Sequence, residues 1–187
     1  MKSVIDNKVE IIIKKSKFIT LTYNIDSIEN VKIKLNELNE EYKDATHVCY
    51  AYIVNNEEKC SDNGEPSGTA GLPILNVLKK ENLNNVLCVV IRYFGGIKLG
   101  AGGLVRAYSK ACKESLNIIE LKKGYLIKIT FDYINENKIN YLLSNSNIIE
   151  KEFNDKITYL VKLKEEDFNT LNDSNICEIE KIREIYL

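Results

Sequence analysis

The sequence predicts an α+β protein made of two consecutive domains, each an α/β sandwich of sheet and helix. Three observations predict it. Strand-like and helical apolar periodicities alternate along the first two thirds of the chain. One run, Val86–Tyr93 (VLCVVIRY), is apolar on consecutive positions, as in a strand that is central or covered on both sides. After Gly124 the pattern changes to a separate series of strands and helices, so the domains are expected at 1–121 and 122–187, with no long linker between them.

Residues 9–25 carry two β-rich runs broken at Lys14–Lys17, which read as two strands and a turn. Ile28, Val31, Leu35, Leu38 and Tyr42 then recur at helical spacing, which predicts an amphipathic helix over 28–43 entered at Asp26 or Ser27. Residues 48–54 form a short apolar strand, and the polar stretch 55–68 reads as loop. Pro73 suits a helical first turn, so the next helix is expected from Leu72 to Lys80. After the 86–93 strand, Leu104, Tyr108, Ala111 and Ser115 and the row Val105, Cys112, Leu116 and Ile119 describe another helix. Arg106, Lys110 and Lys113 gather on its opposite face. The second domain reads as strand 124–133, helix 135–145, strands 147–153 and 156–164, helix 165–174 and strand 176–186. That β-α-β-β-α-β order is the ferredoxin-like plan.

The formal charge of −1 excludes a uniformly basic nucleic-acid binder, so any polyanion must meet a local patch. The five cysteines are scattered without CxxC spacing, and there is one histidine, which argues against a zinc site and for free thiols in a reducing cytoplasm. No stretch has the length of a membrane span, and no signal-peptide core is present. Neither a cofactor nor a metal is implied, and the oligomeric state is left open.

The one local asymmetry is Arg92–Tyr108, RYFGGIKLGAGGLVRAY. It holds Gly95, Gly96, Gly100, Gly102 and Gly103, and no acid occurs between Glu81 and Glu114. A glycine-rich passage from strand to helix exposes unpaired N–H groups at the helix start and lets an anion come close. Arg92, Lys98, Arg106 and Lys110 would surround that anion. The spacing matches neither GxGxxG nor GxxxxGK[ST], and a tight crossover needing positive φ explains the glycines equally well. A second constellation is Ser61–Gly71, SDNGEPSGTAG, in which Asp62, Asn63 and Gly64 suit a turn. Asp62 and Glu65 read as metal ligands or an acid–base pair, as acceptors for loop N–H groups, or as partners of Arg92 or Arg106. His47 lacks a nucleophilic partner and reads as a buried or capping residue, or as an accessory to a binding surface. Tyr50, Tyr52, Tyr93, Phe94 and Tyr108 would either stack on bases or fill the core.

Together, SDNGEPSGTAGLPIL at 61–75 and VVIRYFGGIKLGAGGLVRAY at 89–108, with THVCYAY at 46–52, resemble the IMPACT/YigZ family. The resemblance spans most of residues 1–120. It implies that the first domain has the fold of a ribosomal-protein second domain, shared with domain IV of elongation factor G, and that the second is ferredoxin-like. Where the family commonly has Asp-Asp-Gly, this chain has Asp62-Asn63-Gly64, which keeps the turn but weakens the case for a two-aspartate metal site.

Eukaryotic relatives bind a ribosome-associated activator of a starvation kinase and modulate translation initiation. The resemblance therefore implies a non-enzymatic regulatory protein of the translation machinery and the stress response, contacting RNA or a ribosome-associated protein. The contact residues implied are Arg92, Gly95, Gly96, Lys98, Gly100, Gly102, Gly103, Arg106 and Lys110. The loop motif Asp62, Gly64, Glu65, Ser67, Gly68 and Thr69 would add the other half of the surface. The alternative is a small-molecule phosphate-binding enzyme, because the first fold is shared with a superfamily of small-molecule kinases and LGAGGL at 99–104 resembles their phosphate loop in outline. Against it, the serines of that loop are missing here.

Overall fold

A computed structural model describes residues 1–187. In chain order the elements are β1 (Lys2–Val4), β2 (Asn7–Ile13), β3 (Ser16–Asn24), α1 (Ile28–Glu41), β4 (His47–Val54), β5 (Glu57–Ser61), α2 (Gly71–Lys80), β6 (Val86–Tyr93) and α3 (Ala101–Ser115). There follow β7 (Ile118–Glu120), β8 (Lys123–Phe131), a 3₁₀ turn (Tyr133–Asn135), α4 (Glu136–Leu142), β9 (Asn147–Phe153), β10 (Ile157–Lys164), α5 (Glu165–Asp173) and β11 (Glu178–Tyr186). The chain divides into two compact units, Lys2–Glu120 and Met1 with Leu121–Leu187. The fold is α+β, as the sequence predicts.

The first unit is built on a five-stranded antiparallel sheet, ordered β2-β3-β6-β4-β5. Successive strand side chains point to opposite faces, and both faces of this sheet are covered. Cys88 and Val90 of β6 join Phe18, Ile74, Leu78 and Tyr108 under α2 and α3. Leu87, Val89 and Ile91 join Val31 and Leu38 under α1. That two-sided cover is why β6 is apolar on consecutive positions. Helix α1 starts where expected: the Ser27 hydroxyl accepts the Asn30 N–H at 3.2 Å.

Two local expectations are corrected, and one short strand has no counterpart among them. Residues 57–61, taken as loop, form edge strand β5 paired with β4. Being largely solvent-exposed, it needs no apolar alternation, and its turn uses Asn55 and Asn56 at φ 50° and 66°, the two-residue hairpin geometry that asparagine tolerates. Helix α3 stops at Ser115 rather than continuing to Ile119; Ile118–Glu120 instead pair with Lys2–Val4 as β7 and β1. Strand β1 has no sequence signature of its own, because three residues are too few for a period.

The second unit has strand order β11-β8-β10-β9, all antiparallel, with α4 and α5 on one face. Its core alternates along β8 and β10 as Ile127, Ile129, Ile157, Tyr159, Val161 and Leu163, closed by Ile139 and Leu171. This is the expected βαββαβ arrangement.

Candidate binding site around the glycine-rich turn

The Ser61–Gly71 loop is held by one carboxylate. Asp62 Oδ1 accepts the N–H groups of Ala70 and Gly71 at 2.9 and 2.8 Å, and Oδ2 accepts that of Gly68 at 2.8 Å. Ala70 is the N-cap of α2 and has no capping side chain, so Asp62, at the end of β5, caps the helix from outside. Burial alone would raise the Asp62 pKa, but its three N–H donors outweigh that and hold it below the usual carboxylate range. Thr69 closes the loop by donating to the Pro66 carbonyl at 2.6 Å, while Ser67 stays exposed. Asn63 sits at φ 39° and Gly64 at φ 82°, so the asparagine of this chain suits its left-handed position.

The Asp62 interactions carry a pH-dependent prediction. A carboxyl with a depressed folded pKa adds stability that is complete above its unfolded value, about pH 4, and is lost as pH falls through the folded value. Asp62→Asn should cost roughly 2–3 kcal/mol at neutral pH and flatten the acid limb of the stability curve, measured by urea unfolding. An unchanged acid limb would contradict this role.

Beneath the loop lies a charged network. Glu65 is buried, and its Oε1 accepts from Arg92 Nη1 at 2.6 Å and from the Tyr108 hydroxyl at 2.8 Å. Glu65 Oε2 lies 3.8 Å from His47 Nε2, while His47 Nδ1 is 2.9 Å from the Asn63 carbonyl oxygen. Arg92 also donates to Ser16 Oγ at 3.3 Å, and its guanidinium lies 5.6 and 5.5 Å from the Phe18 and Phe94 rings. Strand register explains the assembly: Phe18, Arg92 and His47 stand directly opposite one another on β3, β6 and β4. Cys49, one step on from His47 on the same face, donates to the Asp62 carbonyl at 2.9 Å. Burial pushes the Cys49 thiol up to about 12 and the Tyr108 phenol well above its ordinary range. Both are therefore hydrogen-bond donors at neutral pH and neither is an activated nucleophile.

The glycine-rich turn runs from β6 to α3. Gly95 passes against the backbone at Lys15, and Gly100 is the N-cap of α3 at φ 71°. The first helical bond is Leu104 N–H to the Gly100 carbonyl at 2.9 Å. With no side chain at the cap, the N–H groups of Ala101, Gly102 and Gly103 have no partner in the protein. The outer surface of α3 carries Arg106, Lys110 and Lys113, all exposed, with Lys98 exposed on the turn. Lys110 pairs with Glu114 at 3.6 Å, a surface contact that leaves it available. Between the turn and the Glu65–Pro66 segment lies a cleft of about 360 Å³ walled by Glu65, Arg92, Phe94, Lys98, Leu99 and Leu104.

With this geometry in place, comparison with known proteins places the chain. The family model described as the Impact N-terminal domain matches residues 14–116, more than half of the sequence. The chain belongs to the IMPACT family. It is 37% identical over 172 residues to IMPACT family member YvyE of Bacillus subtilis, covering 88% of this chain and 79% of that protein. It is 40% identical over 109 residues to IMPACT family member YigZ of Escherichia coli, covering 56% of this chain but only 53% of the relative. A solved structure titled "Crystal structure of an hypothetical protein" superposes with a TM-score of 0.65 at 29% identity, covering 97% of both chains.

In this IMPACT-family chain the expected site residues separate into two groups. Lys98, Gly100, Gly102, Arg106 and Lys110 lie on the exterior around the start of α3, with the half-buried Gly103 in its first turn, as a surface role requires. Arg92 does not face outward with them: it is 5% exposed, because an even position on β6 shares the face of Cys88 and Val90, and its charge is spent on Glu65. Tyr108, considered for base stacking, is fully buried against Phe18, with ring centroids 5.4 Å apart. Sequence reasoning missed Ser16 and Cys49; nothing in their local pattern separates them from ordinary sheet residues.

Proposed function

We propose that this chain is a non-enzymatic regulatory binding module of the translation machinery, and that its partner is RNA met by the exposed face of α3 and the turn before it. The observation that carries the reading is the coincidence of three unpaired helix N–H groups with four exposed cations, Lys98, Arg106, Lys110 and Lys113, on a surface whose nearest acid in sequence is Glu114. The family resemblance points the same way, toward the regulation of translation. The Ser61–Gly71 loop supports this surface by fixing Arg92 and the start of α2. Asp62 is engaged by three N–H groups and Glu65 Oε1 by Arg92 and Tyr108, and no cluster of three or more His, Cys, Asp or Glu side chains is placed to hold a metal.

Four phosphate contacts to a single strand imply that affinity falls about fiftyfold between about 50 and about 200 mM salt. Arg106→Ala with Lys110→Ala should cut that dependence to about sevenfold and weaken binding to unrelated sequences alike, as read by fluorescence anisotropy. Binding that ignores salt, or a double variant that binds like the parent, rules the reading out.

A further inference from the structure

Resting on the RNA reading above, we infer that the cleft at the start of α3 takes one unpaired nucleotide of the bound strand. Phe94 is 47% exposed although it opens onto a cavity of nucleotide size, and Leu99 and Leu104 line the same space. That gives an aromatic face and an apolar wall for a base. The polar groups in the wall are incompletely used. Arg92 is 95% buried, and its Nε–H, with almost no contact with solvent, has no acceptor in the protein. Its neighbour Glu65 has one oxygen, Oε2, that accepts no hydrogen bond and has only His47 Nε2 nearby, at 3.8 Å. The cleft wall thus keeps hydrogen-bonding capacity that the protein itself does not use, next to the apolar face formed by Phe94, Leu99 and Leu104.

Lys98, Gly100 and Ala101 also line the cleft, so the Lys98 side chain and the uncapped first turn of α3 suit a phosphate there. Gly102 leaves the backbone open there, since a side chain would meet only Arg106 Nη1, at 3.7 Å. A duplex keeps its bases stacked and paired, so none can enter the cleft, and the cleft therefore distinguishes a single strand from a duplex.

The protein contains no tryptophan, so Phe94→Trp introduces a single indole reporter that preserves the aromatic face. Its fluorescence should be quenched by a single-stranded RNA decamer and not by the corresponding duplex at equal occupancy. Phe94→Ala should weaken single-strand binding roughly 5- to 150-fold, the range for losing one stacked base, and change duplex binding by less than about twofold. Phe94→Trp should restore the preference. Absence of quenching, with Phe94→Ala neutral toward both RNAs while Arg106→Ala with Lys110→Ala still weakens both, overturns the nucleotide site and leaves the basic surface standing. Quenching by AMP at concentrations where single-stranded RNA has no advantage reassigns the cleft to a free nucleotide and overturns the RNA assignment. A parent protein that binds neither RNA removes both readings together.

Discussion

Replacing Arg92 by Met is expected to destabilise the first unit by roughly 3–5 kcal/mol, the cost of stranding a buried charge. The side chains of Arg92 and Glu65 are only 6% and 3% exposed, and their contact is 2.6 Å long. Without the guanidinium, the Glu65 carboxylate keeps one donor, Tyr108, in a site that water barely reaches. The pair itself has a smaller net value, because both charges were desolvated to form it. Glu65→Gln combined with Arg92→Met should therefore cost well under the sum of the single changes, since the double variant buries no net charge. A double-mutant cycle by urea unfolding tests this, and additive losses would show that the residues act independently. Arg92→Lys should recover little, as an ammonium cannot serve Glu65, Ser16 and the Phe18 and Phe94 rings in one planar geometry.

Gly95→Ala should be comparably damaging, about 3 kcal/mol or more, for a steric reason. A Cβ there would lie 1.9 Å from the Lys15 carbonyl oxygen and 2.0 Å from its carbon. Both are backbone atoms of the β2–β3 turn, which already holds Lys14 and Lys15 at φ 45° and 65°, so neither side can yield by a rotamer change. The end of β6 would have to lift from β3 and carry the start of α3 with it. Gly96→Ala is the informative control: nothing lies within 4 Å of its added carbon, and the cost reduces to an alanine at φ 83°, about 1–2 kcal/mol. Equal thermal shifts for the two variants would contradict the close-approach account.

These residues show where sequence reading reaches and where it stops. The 3.6-residue spacing of Val31, Leu35, Leu38 and Tyr42 and the capping chemistry of Ser27 are local, so α1 could be placed within two residues of its end. The exterior cations of α3 were legible for the same reason: Arg106, Lys110 and Lys113 stand opposite its apolar rows, and a helix sorts its faces by period alone. The glycine cluster was legible as unusual backbone, yet its members differ in ways no spacing reports. Gly95 makes room for a turn 80 residues earlier in the chain, while Gly100 leaves α3 without a capping side chain.

The glycine-rich turn and the SDNGEPSGTAG loop looked like two halves of one outward surface, and the sequence by itself determined that both motifs are present, along with the helices and strands that carry them. The tertiary structure alone decided what each does. Arg92 meets Glu65 27 residues away and Ser16 76 residues away because β3, β6 and β4 pair in one register, and that register turns a basic residue inward. Periodicity records which residues share a face; which faces then meet depends on sheet pairing across long stretches of chain, and no local signal carries that information.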